Sequence, residues 1–209
     1  MRDERSMNEP ATLMDRVELF DAITTTSRAF WPDPLFGHFA RNAVNEHQML
    51  PIFLGALIED ARRSGEIWVV HANNRVVGSA SWLPPGSLPR NALRETRIYR
   101  ACLKALRKGT NRRSGIRLLN EVERKHPTEP HWYLAVLGVD PKWQGRGFGE
   151  ALIKPVLDRC DIEQVPAYLE TQKIENLPFY ERFGFVVMDK VMVEGAPPVW
   201  LMWREPRSG

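Results

Sequence analysis

Apolar residues along this chain alternate between continuous runs and stripes spaced three and four apart. Ala11 to Met14 is a short strand-like run, and Leu19, Phe20, Ile23 and Phe30 then form an amphipathic stripe. That spacing predicts a first helix near Asp15 to Phe30. Trp31-Pro32-Asp33-Pro34 breaks it. A second helical region, interrupted or restarted at Pro51, places Leu50, Leu54, Leu57, Ile58 and Ala61 on one face and ends at Gly65. Ile67 to Ala72 and Arg75 to Leu83 read as strands of a hairpin around Asn73-Asn74, residues that tolerate positive φ. After Pro84-Pro85-Gly86, helical spacing returns through Leu93, Ile98, Cys102 and Leu106. It breaks at Gly109 and resumes through Ile116, Leu119 and Val122.

Trp132 to Val139 is apolar apart from one tyrosine hydroxyl, is too short to span a bilayer, and closes at Asp140-Pro141. It predicts a buried strand ending in a turn. Gly145, Gly147 and Gly149 follow, and then Ala151, Leu152, Val156 and Cys160 at helical spacing. A strand, a glycine loop and a helix in that order let backbone N–H groups converge on a phosphate. The helix dipole favours the anion, and the missing Cβ atoms permit close approach. A P-loop would need Lys and then Ser or Thr after the last glycine, and Glu150-Ala151 stand there instead. A dinucleotide fingerprint fits better, because Glu170 ends a later strand-like run at about the right ~20-residue distance. Its third glycine would nevertheless fall at Glu150, and Asp140 to Gln144 separate the loop from the strand.

Gln144, Gly147 and Gly149 satisfy a third pattern, Gln-x-x-Gly-x-Gly. With Val139-Asp140-Pro141 before it, this segment resembles the pyrophosphate loop of the GNAT superfamily of acetyl-CoA-dependent N-acetyltransferases. Val165 to Thr171 and Glu175 to Phe185 resemble the next strand, short helix and following strand of that superfamily. Leu169 to Phe185, Trp132 to Leu134 and Val193 to Gly195 more narrowly resemble puromycin N-acetyltransferases. The close resemblance covers residues 130 to 204; before that it lies in the order of elements. It implies an α/β (α+β) fold, a single domain over 11–205 with a mixed, mostly antiparallel sheet of about seven strands flanked by helices.

The resemblance also implies a ligand, acetyl-CoA, and a set of residues. Backbone groups of Leu137, Gly138 and Val139 would run beside the pantetheine arm, and the loop Gln144, Gly145, Arg146, Gly147, Phe148 and Gly149 would hold the pyrophosphate. For the strand residues, ordinary sheet pairing is compatible with that role. Tyr180 would protonate the leaving thiolate, and Asn176, four residues earlier on the same helical face and suited to its N-cap, would touch the cofactor arm. A phenol near pKa ~10 is only modestly weaker as an acid than a thiol near ~8.5. Glu170 is the carboxylate available as base, with a hydrogen-bonded structural acid as the competing reading. Removing the proton of a lysine-like amine at pH 7 costs about 4.6 kcal/mol, but that of an α-amino group only about 1 kcal/mol. A lysine-like acceptor therefore demands a committed base, whereas an α-amino acceptor can manage with a water relay. The acceptor site implied by the resemblance draws on Phe30, Trp31, Trp82 and the loop Glu194 to Pro198, aromatic positions that could equally be core. Pro155, inside the helix after the glycine loop, should bend it.

Composition narrows the alternatives. Hydrophobic content of 43% and charged content of 26% are those of a soluble globular protein, and no apolar run reaches the length of a membrane span. Met1 to Pro10 lacks the apolar core of a secretory signal and reads as a flexible tail. Cys102 and Cys160 are isolated and suit packing in a reducing cytoplasm, the expected location. The histidines lack metal-ligand spacing, so no metal is expected; His126 and His131 bracket a turn and read as surface residues. Arg90 to Lys125 holds 12 basic against 3 acidic residues. Without aromatic interleaving or a DNA-binding motif, this block reads as solvated helix faces and not as a nucleic-acid patch. The expected partner is a small-molecule amine, with no membrane, and a homodimer stays open. Two other readings stay beside this one: a protein-lysine or N-terminal acetyltransferase, and a non-catalytic acyl-CoA-binding protein.

Overall fold

In a computed structural model, the structure describes residues 10–207 apart from 32, 41, 90 and 108. The tail expected over residues 1–10 lies outside them except for Pro10, as does the side chain of Leu106. Seven strands form one sheet: β1 (Thr12–Leu13), β2 (Glu66–Ala72), β3 (Arg75–Leu83), β4 (Trp132–Val139), β5 (Ala167–Thr171), β6 (Val186–Val191) and β7 (Val199–Arg204). Their order is β1-β2-β3-β4-β5-β7-β6, antiparallel everywhere except between β4 and β5. Seven helices accompany the sheet: α1 (Leu19–Ala29), α2 (Pro34–Phe39), α3 (Ala43–Ser64), α4 (Ala92–Leu106), α5 (Arg112–Lys125), α6 (Phe148–Glu163) and α7 (Leu177–Glu181). Tyr133, Val136 and Tyr168 join one apolar cluster with α1, α2 and α3. Trp132, Leu134 and Leu169 join a second cluster with α6, as strand alternation requires.

Local chemistry accounts for most boundaries. Asp15 and Glu18 close a capping box on the 3-10 turn Arg16–Glu18 that leads into α1. Asp33 caps α2 through Leu35 and Phe36, ahead of Pro34 in the first turn. Asn73 and Asn74 take positive φ at the β2–β3 hairpin. The interruption expected at Pro51 does not occur, and α3 runs unbroken from its Asn42 cap to Gly65. Pro51 is on the exposed face, so the carbonyl it leaves unpaired meets water while Leu50 and Leu54 stay buried. Likewise α6 continues through Pro155.

Two stripes differ from expectation. Phe20 is exposed, and α1 instead turns Ala22, Thr25 and Thr26 inward. Thr25 donates to the Val76 carbonyl at 2.9 Å, and the Thr26 and Ser79 hydroxyls meet at 2.7 Å. Leu93 is exposed too; Arg94 turns inward to a bidentate pair with the buried Asp60, at 2.8 and 2.9 Å.

The feature that positions the site is where β4 and β5 part. They pair only from Trp132 to Leu134 against Ala167 to Leu169. Beyond that point β4 stays with β3 as far as Val139, while Glu170 and Thr171 stay with β7. A bulge leaves Ala135 opposite no single β3 residue, since Ser81 pairs with Val136 and Trp82 with Leu134. The sheet is thus split along the C-terminal half of β4.

Candidate active site

A cleft of about 770 Å³ opens at this split. Leu137, Gly138 and Val139 form one wall, Glu170, Thr171 and Asn176 line the other, and Gln144, Gly145, Gly147, Phe148 and Gly149 lie at its glycine-loop end. Asp140 starts the loop by accepting from the Lys142 N–H at 3.0 Å, and Pro141–Trp143 form a 3-10 turn. The Gln144 side chain donates to the Val139 carbonyl at 3.0 Å, tying the loop to the strand end. Gly145 and Gly147 have φ of 75° and 85°, a left-handed conformation that costs most side chains about 1–2 kcal/mol. Gly147 is the N-cap of α6, so the first N–H groups of that helix have no intrahelical partners. This arrangement fits a pyrophosphate, because unpaired amides, a helix N-terminus and a bare glycine backbone all face one cleft. Arg146 lies over the Trp143 ring, 4.8 Å from its centroid. Gly138 has a structural reason of its own: a Cβ there would come within 3.0 Å of Thr26 and 3.1 Å of Ala29.

Tyr180 and Asn176 both line the cleft from the α7 segment. Asn176 stands at the N-cap position but makes no cap hydrogen bond; its side chain donates to the Thr171 hydroxyl at 3.1 Å. Tyr180 packs edge-on to Phe179 and Phe185, and burial pushes its phenol above the ordinary value. It therefore keeps its proton throughout the neutral range.

Glu170 is the centre of a polar network on the other wall. It accepts from the Tyr133 hydroxyl at 2.6 Å, and His126 Nδ1 stands 3.4 Å from its second oxygen. Burial alone would raise this carboxyl, but His126 and then the Tyr133 hydroxyl outweigh it, and the pKa falls below the usual carboxylate value. Behind His126, the Nε2 atoms of His126 and His131 meet at 3.1 Å, and His131 Nδ1 donates to the Glu129 carbonyl at 2.6 Å. Burial holds His131 below the ordinary imidazole range, so it is neutral and its Nε2 accepts. With His131 Nε2 accepting, His126 Nε2 is the donor between the two rings, and His126 Nδ1 faces the Glu170 carboxylate. The expectation that both histidines are surface residues is therefore corrected, for His131 is 6% exposed. Sequence spacing held one usable signal: Leu119, Val122, Glu123 and His126 fall at i, i+3, i+4 and i+7, and all four line the cleft.

The aromatic acceptor positions separate. Phe30 lines the cleft. Trp82 does not; it is fully buried in the cluster against α6, because the β3 alternation turns it to that face. Trp31 does not line the cleft either and stacks on His47 at 4.6 Å. From the last expected segment, the loop Glu194 to Pro198, the Gly195 carbonyl lies 2.6 Å from His38 Nε2, and the next residue, Val199, reaches the cleft.

The fold is similar to a crystal structure described as histone acetyltransferase HPA2 and related acetyltransferase from Corynebacterium glutamicum, with a TM-score of 0.71 and 22% identity, over 97% of this chain and 99% of that one. It is also similar to arylalkylamine N-acetyltransferase 2 from Aedes aegypti, with a TM-score of 0.62 and 13% identity, over 94% and 98% of the two chains. In sequence, 87 residues are 38% identical to an uncharacterised N-acetyltransferase of Schizosaccharomyces pombe. That stretch is 40% of this chain and spans about a third (35%) of that protein's length. The model of the acetyltransferase (GNAT) family matches residues 19–185, which include the split strands, the glycine loop and Tyr180. On that match the chain belongs to the acetyltransferase (GNAT) family.

Proposed function

We propose that residues 11–205 form one N-acetyltransferase domain that moves an acetyl group from acetyl-CoA to the primary amine of a small molecule in a ternary complex. The observation that carries this reading is the joining of the glycine-loop amides, Tyr180 and Glu170 in one cleft that runs through the split sheet. Family membership supports acetyl-CoA as the donor, and a fold neighbour described as an arylalkylamine N-acetyltransferase supports a small amine as acceptor. The resemblance of Leu169 to Phe185 to puromycin N-acetyltransferases places that aminonucleoside among the acceptors to be tried.

Acetyl-CoA, when bound, supplies the electrophilic thioester carbonyl and a thiolate leaving group. The loop amides between Gln144 and Gly149 would hold its pyrophosphate, and the unpaired edge of β4 at Leu137 to Val139 would run beside its pantetheine arm. Arg146 would add positive charge near the phosphates. Asn176, which lines the cleft, would touch the same arm.

Glu170 has two duties. Its charge draws the ammonium form of the acceptor into the cleft, and its lowered pKa keeps that charge in place. The same low pKa makes it a weak base toward a free ammonium. The bound ammonium first gives one proton to solvent; the neutral amine then attacks the thioester carbon, and Glu170 takes the second N–H proton, far more acidic once the C–N bond has formed, as the C–S bond breaks. Tyr180 gives its proton to the departing sulfur. Thiol release from acetyl-CoA across a panel of primary amines, puromycin included, tests the reading. Release with at least one amine is expected, and tight acetyl-CoA binding without release in any case would overturn the small-amine reading and leave the protein-acetyltransferase and acyl-CoA-binding alternatives.

A further inference from the structure

The side of the cleft away from α6 has a chemical character that the transfer reaction does not require. Its walls are Phe53, Leu54 and Leu57 of α3, Ile98 and Cys102 of α4, and the α5 stripe that begins at Leu119. Several of these, among them Phe53 and Leu57, pack against the core yet stay only partly buried. They leave apolar surface facing open space. Polar groups gather at one end, where Glu123 is in the last turn of α5, His126 is its C-cap, and Glu170 and Tyr133 face them from the sheet.

Charge is distributed just as unevenly. Among the described residues lining the cleft, the lysine and arginine are Lys173 and Arg182, both from the β5–α7 side. The remaining acid on the helical side, Asp33, is committed: it caps α2 and lies 3.7 Å from Lys173. Among the described residues, those of α3 and α4 that line the cleft are Phe53, Leu54, Leu57, Ile98 and Cys102, with no carboxylate for a second cation.

Resting on the acetyl-transfer reading, we infer that the acceptor is a monoamine with an apolar or aromatic body. The body lies against α3, α4 and α5, and the amino group is drawn to the Glu170 end. A di- or polyamine that reaches along α3 and α4, away from Glu123 and Glu170, would bury its second ammonium against apolar side chains, which burial penalises heavily. An apolar body instead covers side chains that now face open space.

The experiment compares phenethylamine and hexylamine with agmatine, spermidine and a lysine-containing peptide in the thiol-release assay. It uses the full chain and its Leu119→Glu variant, with melting temperature and acetyl-CoA affinity measured alongside. The expected result is about a 10-fold or greater preference in kcat/KM for the apolar monoamines. Leu119→Glu should erase most of it while acetyl-CoA affinity stays unchanged. Preference for agmatine, spermidine or the peptide, or a preference unaltered in a folded Leu119→Glu protein, overturns the inference. A second readout separates it from the transfer reading. Both cysteines are buried, but Cys102 is 7% exposed and lines the chamber, whereas Cys160 is 0% exposed with its thiol pushed up to about 12. Phenethylamine should slow alkylation of Cys102 more than spermidine does, whether or not turnover occurs. If no amine releases thiol, the transfer reading falls, and the alkylation result alone upholds or overturns the apolar chamber.

Discussion

The Nε2 atoms of His126 and His131 stand 3.1 Å apart, on the side of His126 opposite Glu170. Because His131 donates its other nitrogen to a backbone carbonyl, the hydrogen between the two rings belongs to His126 Nε2, and His126 Nδ1 faces the carboxylate that it holds below the usual range. His126→Gln should therefore raise the Glu170 pKa. In the rate–pH profile, the acid limb of kcat/KM should move to higher pH, and His131→Gln should shift it the same way by less. An acid limb unmoved by His126→Gln would show that Glu170 does not govern that limb.

The same depressed carboxyl has a stability consequence. Its folded pKa lies below its unfolded value, so its contribution is complete above the unfolded carboxyl value near ~4.3 and is lost as pH falls through the folded one. Glu170→Gln should therefore reduce stability at pH 7 relative to the parent, with the gap closing below pH ~4. Urea unfolding at the two pH values measures it.

Tyr180→Phe removes only a hydroxyl, in a ring that keeps its contacts with Phe179 and Phe185. Turnover should fall by about 10²–10⁴-fold, the usual worth of one proton-transfer group. Acetyl-CoA affinity should change little by calorimetry. Near-normal turnover would take Tyr180 out of the mechanism.

Gly147→Val places a β-branched residue at φ 85° at the start of α6. Strain of about 1–3 kcal/mol should appear, together with a loss of acetyl-CoA affinity larger than any loss of amine affinity. Gly138→Val instead meets Thr26 and Ala29 of α1. It should lower the melting temperature before it touches cofactor affinity.

Arg204 is 2% exposed and ties three elements together. It donates to Asp161 of α6 at 2.7 Å and to the Phe183 carbonyl after α7 at 2.7 Å. Arg204→Met should cost about 2–4 kcal/mol in chemical denaturation, because the Phe183 carbonyl loses its donor and Asp161 keeps only the Arg207 N–H. Since the turn after α7 loosens with it, turnover should fall as well, by less than in Tyr180→Phe.

Much of the architecture was legible wherever a local rule had one solution. The β2–β3 hairpin follows from Asn73-Asn74, and the strand, glycine loop and helix from Trp132 to Cys160 follow from an apolar run, three glycines and a helical stripe. Pro51 shows where a local rule fails, because the cost of a proline depends on which way the lost bond faces, and here it faces water. Phe20 and Leu93 fail differently: threonines and an arginine with buried partners took the inward positions that periodicity assigned to hydrophobic side chains.

By itself, then, the sequence determined the glycine loop at the start of α6, the strand leading into it, and the short helix that carries Tyr180 behind Asn176 at its N-cap position. These depend on residues close together in the chain, where φ preferences and helical spacing act directly. Only the tertiary structure decided that Glu170 is held by Tyr133 and His126, that Trp82 faces away from the cleft, and that α3, α4 and α5 surround it with apolar side chains. The carboxylate and its partners are 37 and 44 positions apart in sequence. What brings them together is the point at which β4 and β5 stop pairing, a property of the sheet that neither strand carries alone.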